Sequence, residues 1–428
     1  MRNALKWAAI LLLPALILCI FGSHLHALTT GVSAGVAGVG VAVGLKGLAV
    51  MGATNTLGNY NETFFAQEAL IQLEKALGMS GRVYKGYNPN PQVLGDTIQV
   101  RRPSTFTAAD APSADQNLAT ESVAIKLDTW KEVKFSLTDK DLSLTSEKII
   151  SDHIRPAAVA LADVVDQTLN GLYKQIPWYT QMSATPALSD ITKLKKVMFD
   201  NKVPMRDESL LHLQIGSNEQ MAFQNAMTVL QNPQASGLRD GSLGTLYGFD
   251  TFANQNAPSH TSGVAADSTG TVDGANAVGA TSISISGVTA GITVKAGDIV
   301  SIAGDSQQYN IAADATDADG SAFVITITPG LKKATAGTEV VTIFLGGAAK
   351  TQNIAFHSNA FCLATAPLSD MGNQLGAKIA TISDPITGLS LRSRLFYVGD
   401  SSTVKVALDI LFGVKTLDPN LAVRGYAA

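Results

Sequence analysis

The strongest constraint on this chain is a change of texture at about Pro258. Residues 259–347 are built of Gly, Ala, Ser, Thr and Val with hardly any helical periodicity. Short alternating runs recur between turn residues: Thr281–Ile285, Ile292–Val294, Asp298–Ile302, Ala322–Ile327 and Glu339–Phe344. Alternation buries one face of each run, so the segment predicts a small barrel or sandwich. Upstream the texture is mixed. Ser189–Asn201 reads as a helix with Leu194, Val197 and Met198 inward, Ser209–Ile215 as a strand, Ser217 as the cap of a helix through Leu230, and Leu243–Phe252 as a strand. Downstream, Asn353–Ala364 resumes that texture. The β-module is thus an insertion inside an α/β domain, and the fold class is α+β.

Two helical signals precede it. Phe64, Phe65, Ala69, Leu70, Leu73, Ala76 and Leu77 recur at three and four, and Gly78 and Gly81 stop the run. A longer stripe, Ile150, Ile154, Ala157, Leu161, Val164, Val165, Leu169 and Leu172, predicts about seven helical turns with Ser146 as a cap. Pro156 either kinks that helix or marks its true start. Such length suits a spine lying across a flat domain. Between the two helices, Asp96–Pro103, Ser122–Asp128 and Lys131–Leu137 alternate as strands around a polar tip from Ser104 to Thr120.

Residues 1–53 are a different material. Met1–Asn55 carries Arg2, Lys6 and Lys46 and no acidic residue, and an apolar run from Trp7 to Gly22 fits a signal peptide or short membrane helix. Gly31–Ala53 is a second apolar tract. Leu25-His26-Ala27 is a mediocre cleavage site, and Met51 is an alternative start after which the patterning is ordinary; both readings stay open. A membrane enters only if residues 1–53 are retained.

The chemistry-bearing residues do not assemble into a motif. Two cysteines, Cys19 and Cys362, exclude a disulfide scaffold and a Cys-rich zinc protein. The net charge of −4 supplies no basic field for phosphate binding. His24, His26, His153, His212, His260 and His357 are scattered; His153 reads as a spine-helix contact, and His212 and His357 as satisfied strand histidines. Asp314, Asp317, Asp319 and Gly320 miss the EF-hand register, because the first and twelfth positions fall on Ala315 and Thr326; a solvated hairpin turn is expected. Asp139 and Asp141 read as a polar lead-in to the spine, and Lys193, Lys195 and Lys196 as a solvated face. No catalytic, cofactor or metal residue is assigned. Charged residues are only 15% of the chain, so much of its surface is expected to end against other protein.

The order of elements resembles the major capsid proteins of tailed phages, the Hong Kong ninety-seven fold, and the inserted β-module makes it most similar to the P-twenty-two type. The stretches that carry the likeness are Gly95–Pro103 for the first strand of the E-loop, Ile154–Asp163 continuing to Tyr173 for the spine, Gly241–Asp250 and Ala355–Ala364 bracketing the insertion, and Val406–Lys415 with Pro419–Val423 as closing strands. The resemblance implies an N-terminal arm (54–90), an E-loop with flanking strands (91–144), a spine helix (145–178), a first P/A-domain part (179–258), the inserted domain (259–347) and a second part (348–428). It further implies hexamers and pentamers in an icosahedral shell assembled in the host cytoplasm, with a scaffolding protein, a portal and packaged double-stranded DNA as partners and no cofactor. Phe64, Phe65 and Leu73 on the arm, and Arg101, Arg102 and Trp130 on the E-loop, are the candidate contacts with neighbouring copies. An encapsulin-like compartment and an exported, membrane-tethered binding protein are the rival readings.

Overall fold

In the computed structural model the described residues are 62–86, 97–101, 110–111, 122–138, 150–230, 243–264, 269–317, 320–344, 348–368, 377–383 and 389–427. The apolar segment 1–53, Arg102, Asp139, Asp141, Ser146, Asp319 and most of the Ser104–Thr120 tip lie outside them.

Helix α1 spans Glu62–Ala76, and its three-and-four stripe is buried at Phe65, Ala69, Leu70 and Leu73. Strands β1 (Thr97–Arg101) and β2 (Ser122–Lys126) pair antiparallel, Thr97 opposite Lys126 and Arg101 opposite Ser122. Strand β3 (Thr129–Thr138) follows. The spine begins as a π-type turn at Ile150–Ile154, becomes helix α2 over Arg155–Asn170 and tightens to a 3-10 turn at Gly171–Gln175. Pro156 stands in the first turn of α2, directly after the π-type turn, so it marks where the spine becomes α-helical.

After β4 (Tyr179–Met182) come α3 (Leu188–Asp200), β5 (Leu211–Ile215) and α4 (Ser217–Leu230). Leu243–Phe252, expected as one strand, is a hairpin of β6 (Thr245–Leu246) and β7 (Phe249–Ala253). Tyr247 and Gly248 both have positive φ, 50° and 86°, which is the I′ geometry that matches strand twist.

The inserted module hangs on a two-strand neck, β8 (Ser259–Thr261) paired with β17 (Ala349–Thr351). Between them, β9 (Thr269–Val272), β10 (Ser282–Ser286), β12 (Ile299–Ile302), β13 (Gln308–Ile311), β15 (Phe323–Thr328) and β16 (Val340–Phe344) close a six-stranded barrel in the order β10-β15-β13-β12-β16-β9. The small pair β11 (Thr293–Val294) and β14 (Ala315–Thr316) lies beside it. Alternation puts Ile283, Ile285, Ile325 and Ile327 inside with Tyr309 and Val341, and closure removes the exposed edges of an open sheet. Strands β9, β13 and β14 were not anticipated, since Gly270, Asn310 and the brevity of β14 blur the period-two signal.

The chain then returns through β18 (Asn353–His357), β19 (Phe361–Ala366), β20 (Lys378–Ser383), β21 (Ser390–Val398), β22 (Thr403–Thr416) and β23 (Ala422–Ala427). One mixed sheet runs β4-β23-β18-β5-β7-β6, with β23/β4 and β5/β7 parallel. In the other, β22 pairs with β3 over Thr403–Phe412 along one edge, and with β21 over Thr403–Asp409 and then β19 over Leu411–Thr416 along the other.

Helix α2 lies between these sheets and shows why its stripe is broad. Leu161, Val165 and Leu169 join Val406, Leu408, Ile410 and Phe412 of β22, together with the inner face of α1. A second stripe carries Asp166 and Asn170, buried toward the mixed sheet: Gln214 Nε2 donates to Asn170 Oδ1 (2.6 Å), Asn254 Nδ2 to Asp166 Oδ2 (2.5 Å), and Ser80 N to Asp166 Oδ1 (3.1 Å). The opposite face of β22 is covered by the β1–β2 hairpin, where Ile98, Val100, Ile125 and Leu127 meet Ala364 and Leu411. Gly413 permits that crossing: a Cβ there would stand 2.3 Å from the Lys126 carbonyl oxygen. The fold class is α+β, as expected, with a closed barrel as the inserted module.

Candidate assembly surfaces and the barrel junction

Two of the expected contact residues are spent inside this chain. Phe65 and Leu73 are buried in the α1–α2–β22 core, and Phe64 is half-buried against it. The expectation that Phe65 and Leu73 reach a neighbour is therefore corrected: one stripe of α1 cannot face both its own spine and another copy. Arg155 Nη2 further ties α2 to Glu68 of α1 at 3.0 Å. On the outer side of α1, Ile71 is exposed. Arg101 is exposed at the end of β1.

Trp130 is 46% exposed, yet its indole is not idle. Nε1 donates to Asp409 Oδ2 at 3.2 Å, and the ring stands 6.0 Å from the Arg392 guanidinium carbon. Asp409 is fully buried and accepts from Arg392 Nε (3.1 Å) and Nη2 (2.7 Å); Arg394 Nη2 reaches it at 3.1 Å and also binds Glu132. A buried carboxylate survives only when paired this fully. Trp130 thus caps a buried ion cluster on the outer face of the β22 sheet. The spacing Arg392-x-Arg394, with Asp409 and Glu132 in register beside it, was legible only once strand pairing was known.

A second buried polar cluster fastens the barrel to the mixed sheet. Arg424 on β23 has no solvent exposure; Nη1 donates to Gly297 O (2.9 Å) and Nη2 to Asn310 Oδ1 (2.6 Å), both on the barrel side. Burial draws its pKa down to about 10. His260 at the neck sits between Tyr173 Oη (2.9 Å from Nδ1) and Asp298 Oδ1 (2.8 Å from Nε2). Asp298 Oδ2 accepts from Gly263 N (3.1 Å) and Lys295 N (2.7 Å). Tyr179 N donates to Gln308 Oε1 (2.9 Å), and the Tyr179 ring stacks on Tyr426 with centroids 6.0 Å apart. Burial raises the pKa of Tyr173, Tyr179 and Tyr426, so these phenols stay neutral. The barrel is bolted through side chains as well as tethered by its neck.

The remaining titratable groups behave as structural fasteners. His212 is buried on β5, with Nδ1 3.3 Å from Asp250 Oδ2 and Nε2 3.1 Å from Ser358 Oγ. That order resembles a nucleophile–base–acid relay, but Asp250 is also gripped by Arg82 Nε at 2.8 Å and Ser358 Oγ lies 3.4 Å from Leu210 O. The set clamps β5, β7 and the turn after β18. His357 Nδ1 accepts from Asn359 N (3.1 Å), so both strand histidines are satisfied as expected. The His153 ring lies 5.7 Å from Phe135, a spine contact with β3. Asp314 Oδ1 accepts from Ala296 N (2.7 Å) and Asp317 Oδ1 from Gly320 N (3.0 Å), as turn residues do. Among the described residues no group of three or more His, Cys, Asp or Glu side chains is placed to hold a metal ion. Burial pushes the Cys362 thiol up to about 12, so it is not a nucleophile at neutral pH. Lys193 and Lys196 pair with Asp190 (2.6 Å) and Asp200 (2.9 Å) on α3. Among the described residues no helix is long and apolar enough to cross a membrane.

No protein-family model matches the chain, and no curated protein matches it. Solved structures to which it is similar include the capsid of Cyanophage P-SCSP1u, at 11% identity over 81% of this chain and 91% of that one, TM-score 0.41. The mature capsid of bacteriophage PhiM1 is similar at 9% identity over 82% and 87%, TM-score 0.40. A virus-like particle from Pyrococcus furiosus is similar at 8% identity over 84% and 96%, TM-score 0.37.

Proposed function

We propose that this chain is the repeating subunit of a closed icosahedral shell, the major capsid protein of a tailed phage. Copies arranged as hexamers and pentamers would enclose double-stranded DNA, and assembly would use a scaffolding protein and a portal. The observation that carries the reading is the arrangement of elements around one spine helix. An N-terminal helix and a β-hairpin flank a long sheet on its two faces, and a second sheet is interrupted by an inserted barrel before the C-terminal strands close both sheets. The inserted barrel on its two-strand neck is the feature on which the P-twenty-two type is proposed within that class. The buried ion clusters fit a tile that must keep its shape under many simultaneous weak contacts. The absence of a basic field fits DNA confined by a wall, not gripped by it.

The test is expression of the full chain alone and with a co-encoded candidate scaffold, followed by sedimentation and negative-stain imaging. Closed particles of uniform size are expected, and monomers or amorphous aggregate under every condition would refute the proposal. Nuclease-protected double-stranded DNA in particles from the native source distinguishes a phage head from a compartment that holds enzyme cargo.

A further inference from the structure

The barrel junction contains a void that its own side chains leave incomplete. A cavity of about 30 Å³ is lined by Arg424, Asp298, His260, Gly297, Lys350 and Tyr426, among others. A void needs roughly 10–15 Å³ to hold one water-sized occupant, so this one accepts a single small species. Arg424 is fully buried, and its two Nη atoms bind neutral acceptors, a carbonyl and an amide oxygen. Its Nε–H has no hydrogen-bond partner.

The orphaned Nε–H is a donor. The one carboxylate at the cavity, Asp298, is already occupied by His260 Nε2, Gly263 N and Lys295 N, and it forms no ion pair with Arg424. Against that single negative charge the cavity wall sets the guanidinium of Arg424 and the ammonium of Lys350, whose Nζ lies 5.1 Å from the Tyr426 ring centroid. An unpaired buried donor is costly, more so when the group is charged, so an occupant that only accepts fits best.

We propose that this cavity binds one monatomic monovalent anion of the chloride class, held chiefly by Arg424 Nε–H at the seam between barrel and mixed sheet. The anion would complete the bolt, coupling the barrel's attachment to the halide concentration of the medium.

The experiment is thermal unfolding of the full chain at constant ionic strength while chloride replaces gluconate. A saturable rise in Tm of about 2–4 °C is expected, as for a ligand reaching several times its Kd. Bromide should act as chloride does, and Arg424→Gln should abolish the response. Should that variant fail to fold, crystals of the unaltered chain in bromide decide the matter. An anomalous peak within hydrogen-bond distance of Arg424 Nε supports the site. A linear, unsaturable salt response, or ordinary water density with no anomalous signal, overturns it.

Discussion

Removing the Asp409 carboxylate should destabilise the subunit far more than removing an exposed charge. Its two oxygens receive Arg392 through Nε and Nη2 (3.1 and 2.7 Å), Arg394 Nη2 (3.1 Å) and Trp130 Nε1 (3.2 Å), and the Asp409 side chain is wholly buried. Asp409→Ala takes the Asp409 carboxylate away from the buried Arg392 guanidinium. Breaking one side of a buried ion pair costs about 3–5 kcal/mol, whereas an exposed pair such as Lys196–Asp200 is worth about 0–1 kcal/mol. Replacing both partners with apolar groups of similar volume, Asp409→Leu with Arg392→Met, removes the stranded charge. The double variant should therefore recover about 2 kcal/mol or more relative to the sum of the single costs. The assay is urea unfolding of the unassembled full chain, followed by tryptophan fluorescence, for Asp409→Ala and for the four members of the Asp409→Leu/Arg392→Met cycle. A loss below about 1 kcal/mol for Asp409→Ala, or strict additivity in the cycle, would refute the claim that this cluster is buried and coupled.

Two further outcomes follow from the geometry. Gly413→Val should displace the β1–β2 hairpin, because even a Cβ would stand 2.3 Å from Lys126 O; a cost of about 1–3 kcal/mol and faster proteolysis within 97–126 are expected, and unchanged protease resistance would count against the crossing. Burial is the main cause that holds His212 and His357 below the ordinary imidazole pKa, so the native state binds fewer protons than the unfolded chain. Their contribution is complete above the unfolded value of about 6.5 and is lost as pH falls below it, so urea midpoints should drop between about pH 7 and pH 5, and less so in His212→Gln.

The α+β architecture with its inserted barrel could be read from order and periodicity because each element announces itself locally. The α1 stripe, the spine residues and the alternating runs of the barrel all record which face is buried, and burial writes itself into the sequence at 3.6 or 2 residues per repeat. Trp130 was expected as a contact with a neighbouring copy; its bond to Asp409 spans 279 positions and leaves no local trace. Phe65 and Leu73 show the complementary failure. Periodicity says that a face is covered and is silent on whether the cover is the same chain or another copy.

By itself, then, the sequence determined most of the element types and the insertion. The tertiary structure alone decided the partners: that the hairpin lies across Gly413, that α2 turns its Asp166–Asn170 stripe to one sheet and its leucines to the other, and that Arg424 bolts the barrel in place. The physical reason is that hydrophobic patterning is a property of neighbours along the chain. Ion pairing and hydrogen bonding in the interior depend on atoms meeting within about 3 Å, and only the packed fold brings them there.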